Sequence, residues 1–233
     1  MDVYWAEQTQ ADLPARIDWL SERELATLSG LRFAKRRADW LLGRWTAKRA
    51  LASYLSVPGD ACALTAIELR PAPSGAPQAF LAGQPAAASI SLSHRSGAAV
   101  CAVAAPGIAL GCDLELIEPR TDGFIADYFT TEEQRAVAGA ITEDRFCLVA
   151  LLWSAKESTL KALGVGLRYD TQSVVVTPLQ AFDGRDDEGE NWRPLNARFA
   201  DRPLFHGWWQ QTGEFVKTLV ASPPPSAPSG IYR

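Results

Sequence analysis

Cysteine is scarce, and the four present (Cys62, Cys101, Cys112 and Cys147) follow neither a CxxC nor a mixed Cys/His ligand spacing. That excludes a disulfide framework and a zinc ribbon, and leaves buried free thiols in a reducing compartment as the expectation. No apolar run approaches the ~18 residues that a membrane span requires. The opening MDVYWAEQTQ lacks the cationic start and apolar stretch of a secretory signal. A cytoplasmic protein with no membrane partner is expected. Positive charge is also short overall: 23 Lys and Arg stand against 27 Asp and Glu, a formal net charge of −4, which argues against nucleic acid as a partner. Hydrophobic content of 47% and charged content of 21% are those of a globular chain with room for a substantial core.

The charge that is present is unevenly placed. Residues 32–49, RFAKRRADWLLGRWTAKR, hold seven Lys or Arg and one acid, Asp39, which leaves 16 basic against 26 acidic residues elsewhere. Such a patch on an acidic protein suits a compact anionic ligand, or else it is a solvated helix face rich in arginine.

Hydrophobic periodicity predicts strands at 3–5, 66–70, 88–93, 98–104, 108–116, 173–177, 204–210 and 214–221. Helices are expected near 20–28, 37–55, 131–140 and 145–163, the last stopped by Gly164. The segment PAPSGAPQAFLAGQPAA (71–87) reads as a loop, as does the acidic DGRDDEGEN (183–191), and the tail SPPPSAPSG as a disordered linker. WTAKRALASYL (45–55) aligns without gaps with WSAKESTLKAL (153–163), and each is followed by a short apolar strand, AVCAVA and FVKTLVA. The echo suggests two similar halves, 1–106 and 107–221, of the sort that place a ligand between them, ahead of the tail at 222–233. Where the first copy has Arg49, the second has Glu157.

Glu157 is the first anomaly. Phe146, Ala150, Trp153, Glu157 and Leu160 share one helical stripe, in which a carboxylate either reaches solvent, pairs with Lys161 one turn on, or faces a buried cation or reacting group. Asp113 and Glu115, two apart in the apolar strand GIALGCDLELIEPR, are the second. Their side chains point to one face, where two carboxylates repel each other unless a cation lies between them, and hard oxygen donors suit Mg²⁺ or Mn²⁺. A D-x-E pair on an exposed strand face does nothing, so the weight rests on its combination with Glu157. In SISLSHRSG (89–97), Ser93 and His94 are donors clustered at a strand end, suited to a phosphate or simply a surface turn. Lys156 and Lys161 flank Glu157, as structural ion pairs or as phosphate contacts.

Together these segments resemble the 4′-phosphopantetheinyl transferases. GCDLE followed some forty residues later by WSAKESTLKALG is similar to that family's signature pair, and SLSHRSG to its Ser-His turn. LRFAKRR and WLLGRWTAKRAL are similar to the basic helix of the larger type, which activates nonribosomal peptide and polyketide synthetases. The resemblance spans roughly residues 20–180 and implies Mg²⁺ (or Mn²⁺) on Asp113, Glu115 and Glu157, with coenzyme A as co-substrate. It implies phosphate contacts from His94 and Lys161, beside which Ser93 and Lys156 are further candidates, and a 3′-phosphate or adenine end near Arg36, Arg37 or Arg44. Glu157 and Lys161 are the expected catalytic pair. The resemblance further implies an α+β fold of two pseudo-symmetric α/β halves with the site between them, and an apo acyl or peptidyl carrier protein as the partner of a monomer. The family often has Gly-Lys-Pro where this chain has Gly75-Ala76-Pro77, a missing cation for which Arg70 or Arg95 stands nearby in sequence. Two other functions are compatible with the same residues: a metal-dependent nucleotide pyrophosphohydrolase, and a non-catalytic module that binds coenzyme A or a carrier.

Overall fold

The computed structural model describes residues 1–165, 169–179, 191–200, 202 and 204–231. The strands are β1 (Val3–Thr9), β2 (Ile67–Pro71), β3 (Pro77–Leu81), β4 (Gln84–Pro85), β5 (Ser89–Arg95) and β6 (Ala98–Ala104), then β7 (Ala109–Leu116), β8 (Val174–Pro178), β9 (Arg193–Phe199), β10 (Phe205–Thr212), β11 (Phe215–Ser222) and β12 (Ser229–Gly230). The helices are α1 (Glu22–Ser29), α2 (Ala34–Tyr54), α3 (Ala61–Thr65), α4 (Asp122–Tyr128), α5 (Thr131–Gly139) and α6 (Thr142–Ala162). Among the described residues no helix is long and apolar enough to cross a membrane.

Two sheets carry the architecture. One has the order β12-β1-β6-β5 and the other β7-β11-β10-β9-β8, while β2-β3-β4 forms a smaller third. Period-two alternation divides each strand between two cores. On β6, Cys101 and Val103 pack under α2 with Ala47, Ala50 and Leu51. Its alternate residues Val100, Ala102 and Ala104 face the second sheet, meeting Leu110, Cys112, Leu114 and Leu219. The far side of that second sheet is covered by α6, through Val149, Leu152 and Leu160 against Val216 and Val220. The layers therefore run α2, sheet, sheet, α6.

Several expectations are altered. The stretch 71–87, read as a loop, contains β3 and β4, because Ala79 and Phe80 pair with Leu69 and Glu68 of β2. Within the tail, residues 229–231 are tied to the first sheet: Ser229 and Gly230 pair in parallel with Tyr4 and Trp5, Ile231 N–H donates to the Trp5 carbonyl at 2.9 Å, and Ser53 Oγ donates to the Ile231 carbonyl at 3.1 Å. A proline-rich composition reads as linker, yet residues 229–231 cover a sheet edge whose unpaired groups need partners. α4 and β9 stand where no element was expected. Most of the acidic loop, 183–190, lies outside the described residues. Gly164 ends α6 as its position foretold, with positive φ (68°), its own N–H on the Lys161 carbonyl at 2.9 Å and that of Val165 on the Leu160 carbonyl at 3.1 Å.

Candidate active site

The edge strands β5 and β7 face each other without a backbone ladder, and side chains close the seam. Ser91, Ser93 and Arg95 alternate onto the side of β5 that faces β7. Ser91 Oγ accepts from Cys112 N–H at 2.9 Å, Ser93 Oγ donates to Asp113 Oδ1 at 2.8 Å, and the Arg95 Nε lies 3.6 Å from Glu115 Oε2. The opposite side of β5 turns Leu92 and His94 toward Gly43 of α2, where a methyl group would stand 3.3 Å and 3.7 Å from them.

Gly111, Asp113 and Glu115 occupy the face of β7 that meets α6. Gly111 admits the helix: a Cβ there would lie 1.8 Å from the Ser158 carbonyl oxygen. Three buried hydroxyls complete the contact, with Thr218 Oγ1 2.8 Å from Ser154 Oγ and 2.7 Å from Ser158 Oγ. This close approach brings Lys161 Nζ to 2.6 Å from Asp113 Oδ1, and it donates to the Cys112 carbonyl at 3.1 Å. Burial works to lower the Lys161 pKa, but Asp113, Cys112 and Glu157 around it outweigh that and hold it raised. Lys161 is a fixed cation.

Glu157 is half-buried between these groups, and burial first, then the charge of Asp113, pushes its carboxyl up to about 7. Glu115 is pushed up for the same reasons, against the pull of Arg95 and Arg120. Its oxygens are taken: Trp153 Nε1 donates to Oε1 at 3.1 Å and Arg120 to Oε2 at 3.3 Å. By contrast Asp113 Oδ2 and Glu157 Oε1 are buried with no hydrogen-bond partner. Among the described residues no three acidic, histidine or cysteine side chains are assembled to hold a metal ion ready-made. Two of the three expected carboxylates, Asp113 and Glu157, nevertheless fit a hard cation, since each presents an orphaned oxygen whose desolvation a cation would offset.

The raised Glu157 pKa has a measurable consequence. A carboxyl with a folded pKa near 7 and an ordinary value of 4.5 binds protons more tightly in the fold than in the unfolded chain. Stability of the metal-free protein should therefore fall as pH rises from 4.5 through 7. Allowing for partial exposure, the effect is on the order of 2 kcal/mol. Thermal unfolding in EDTA at pH 5 and pH 8 should show this loss in the parent and much less of it in Glu157→Gln. Equal slopes would mean that Glu157 ionises without penalty.

Other expected site residues are placed elsewhere. Lys156 is not a phosphate contact: it is fully buried, 2.8 Å from Glu133, and donates to the carbonyls of Thr171 (2.9 Å) and Val174 (2.5 Å). At helical spacing it points away from Glu157 and into the core. Arg37 donates to the Leu28 carbonyl at 2.6 Å, fastening the end of α1. Arg44 stacks 4.8 Å over Trp40 and lies 3.8 Å from Glu24, at the wall of a cavity of about 520 Å³ that Arg23, Arg70 and Gly75 also line. Arg36 is exposed on the first turns of α2. Arg120 and Trp153, which hold Glu115, were not expected. Trp153 was visible in the stripe with Glu157, but Arg120 lies in a Pro-Arg turn with no periodic signal.

Carboxylates set beside a fixed lysine, at the seam of two sheets, define a site built to take up cationic charge. Over residues 109–220 the chain matches the family model of the 4′-phosphopantetheinyl transferase superfamily. It is a transferase, similar to the L-aminoadipate-semialdehyde dehydrogenase-phosphopantetheinyl transferase of Xenopus laevis, at 25% identity over 219 residues. That similarity covers 82% of this chain and 70% of the relative.

Proposed function

We propose that the protein transfers 4′-phosphopantetheine from coenzyme A to a serine hydroxyl of an acyl or peptidyl carrier protein. The observation that carries this reading is the pair of orphaned oxygens, Asp113 Oδ2 and Glu157 Oε1, beside Lys161. The serine oxygen forms a bond to the β-phosphorus as the bond from that phosphorus to the bridging oxygen breaks, and adenosine 3′,5′-bisphosphate leaves. A divalent cation, Mg²⁺ or Mn²⁺, held by Asp113 and Glu157 would supply neutralisation of pyrophosphate charge. Lys161, fixed by Asp113 and the Cys112 carbonyl, offers a further positive charge to a phosphate oxygen. Glu157, or a water that it orients, would receive the serine proton. Ser93 orients Asp113.

The ligand in this reading bridges two pseudo-symmetric halves. Supporting it is a repeated set of contacts. In the first half Lys48 meets Glu24 at 2.5 Å, and Glu24 caps the start of α1 by accepting from Ser21 N–H at 3.1 Å and also takes Leu69 N–H at 3.4 Å. In the second, Lys156 meets Glu133, which accepts from Thr130 N–H at 2.9 Å and Val176 N–H at 3.0 Å. The strand orders β1-β6-β5 and β7-β11-β10 correspond as well. Arg23, Arg44 and Arg70 wall a cavity in the first half, where the adenosine end and its 3′-phosphate would meet cations. Arg36, on the same helix as Arg44, would add to that field.

The test is incubation with coenzyme A, Mg²⁺ and an apo carrier protein, read as the mass gain of one phosphopantetheine on the carrier. Asp113→Asn should cut the rate by about 10²–10³-fold while leaving circular dichroism unchanged. Full activity in that variant would remove Asp113 from the chemistry. Release of free phosphopantetheine without carrier would favour hydrolysis instead.

A further inference from the structure

A cavity of about 770 Å³ opens where the C-terminal half of α2 meets β1 and β12. Arg49, Ser53 and Tyr54 of the helix line it together with Tyr4 of β1 and residues 229–231 of the tail. The tail is fastened there by its pairing with β1 and by the Ser53 hydroxyl on the Ile231 carbonyl. The surroundings echo those of the acidic site with different chemistry. Aligning WTAKRALASYL with WSAKESTLKAL places Arg49 where Glu157 stands and Ser53 where Lys161 stands, and β12 flanks β1 much as β5 flanks β7. A carboxylate in one cleft is thus a guanidinium in the other. None of the ten described residues that line the cavity is acidic. Arg49 Nη1 donates to the Gly59 carbonyl at 3.3 Å and the guanidinium lies 5.6 Å over Trp45, contacts with neutral groups that leave its charge in place. Tyr4 and Tyr54 meet edge to face with ring centroids 5.5 Å apart, and with Val57 they supply apolar surface.

We propose that this cavity is a second ligand site, separate from the transfer centre, which takes an organic monocarboxylate with an aromatic body. A planar guanidinium matches a carboxylate through two parallel N–H bonds. The tyrosine rings offer faces and edges against which a flat apolar body packs. The volume is that of a small-molecule site. A single negative charge is favoured over the larger charge of a phosphate monoester for two reasons. Arg49 is the one cation among the described residues that line the cavity. The last carbonyls of α2, which ends at Tyr54, also bring partial negative charge to its rim.

Fluorine NMR of 4-fluorobenzoate titrated with the full chain, read as broadening of its resonance, tests this without any transfer assay. The comparators are 4-fluorobenzylamine and 4-fluorophenyl phosphate. The benzoate should bind, the amine should not, and the phosphate monoester should bind at least threefold more weakly than the benzoate. Arg49→Gln should weaken the benzoate at least tenfold, and Arg49→Lys, which keeps the charge without the planar fork, by less. Ser53→Asp, at an exposed position, should reject the benzoate and admit the amine, a reversal that misfolding cannot produce. Saturating coenzyme A should leave the benzoate bound, because none of the residues around this cavity lines the one beside Arg44. A parent that takes up no 4-fluorobenzoate overturns the proposal. So do parent-like affinity in Arg49→Gln, binding of the phosphate as tight as that of the benzoate, or displacement by coenzyme A, which would put the benzoate in the transfer centre.

Discussion

Gly111→Ala, the addition of one methyl group, is expected to cost about 3 kcal/mol or more and to lower the melting temperature by roughly 6–12 °C. The new Cβ would lie 1.8 Å from the Ser158 carbonyl oxygen, 2.7 Å from its carbon and 2.8 Å from Ala162 N. All three are backbone atoms of α6, so no side chain can rotate out of the way, and the helix must lift from β7. A loss of catalysis should accompany the loss of stability. Asp113 is two residues along the strand from the clash and Lys161 three along the helix, so their 2.6 Å contact opens with it. A displacement of ~1 Å in such a pair can lower a rate by about a hundredfold. Transfer measured at a temperature where the variant remains folded separates the two effects. A parent-like melting temperature would mean that α6 tolerates displacement at this contact.

The same contact explains why part of the site was legible in the sequence. Period-two alternation puts Asp113 and Glu115 on one face of β7, and 3.6-residue spacing puts Glu157 on the stripe of α6 that carries Trp153. Because a glycine on the strand lets the helix close on that face, local patterns were enough to bring the acids together. What periodicity cannot see is the partner of a charge. Glu115 and Glu157 look alike as lone acids in apolar settings, yet one is held by Arg95, Arg120 and Trp153 and the other is left with an unsatisfied oxygen. Arg95 sits at the alternate position from Ser93 and was legible as a same-face neighbour, whereas Arg120 reaches the site through a turn. The tail was misread for a related reason. Its Pro and Ser content describes a chain that cannot build its own core, but residues 229–231 find their partners on an existing edge strand 225 positions away.

Lys156 is the sharpest case of a charge whose partner is remote, and its removal should be the other large effect. Lys156→Met leaves Glu133, itself 4% exposed, as a buried carboxylate without its counter-charge, which typically costs 3–5 kcal/mol. Pairing it with Glu133→Leu will recover only part of this. Glu133 also satisfies Thr130 N–H at the start of α5 and Val176 N–H on β8, and an apolar side chain strands both donors. Glu133→Gln, which keeps an oxygen for one of them, should recover more, and urea unfolding of the two double variants orders them. Lys48→Met should cost a similar amount through Glu24, and the two lysine variants should add to within about 0.5 kcal/mol, because they share no partner. Binding supplies the separate readout. At a temperature where Lys156→Met is folded, its affinities for Mn²⁺ and coenzyme A should match those of the parent, since Lys156 faces Glu133 and the Thr171 and Val174 carbonyls rather than the acidic site. Should the variant bind coenzyme A tenfold more weakly while its melting curve is unchanged, the side chain would have to leave that buried cage and reach a phosphate. An undisturbed melting curve would equally mean that the cage contributes nothing to the fold.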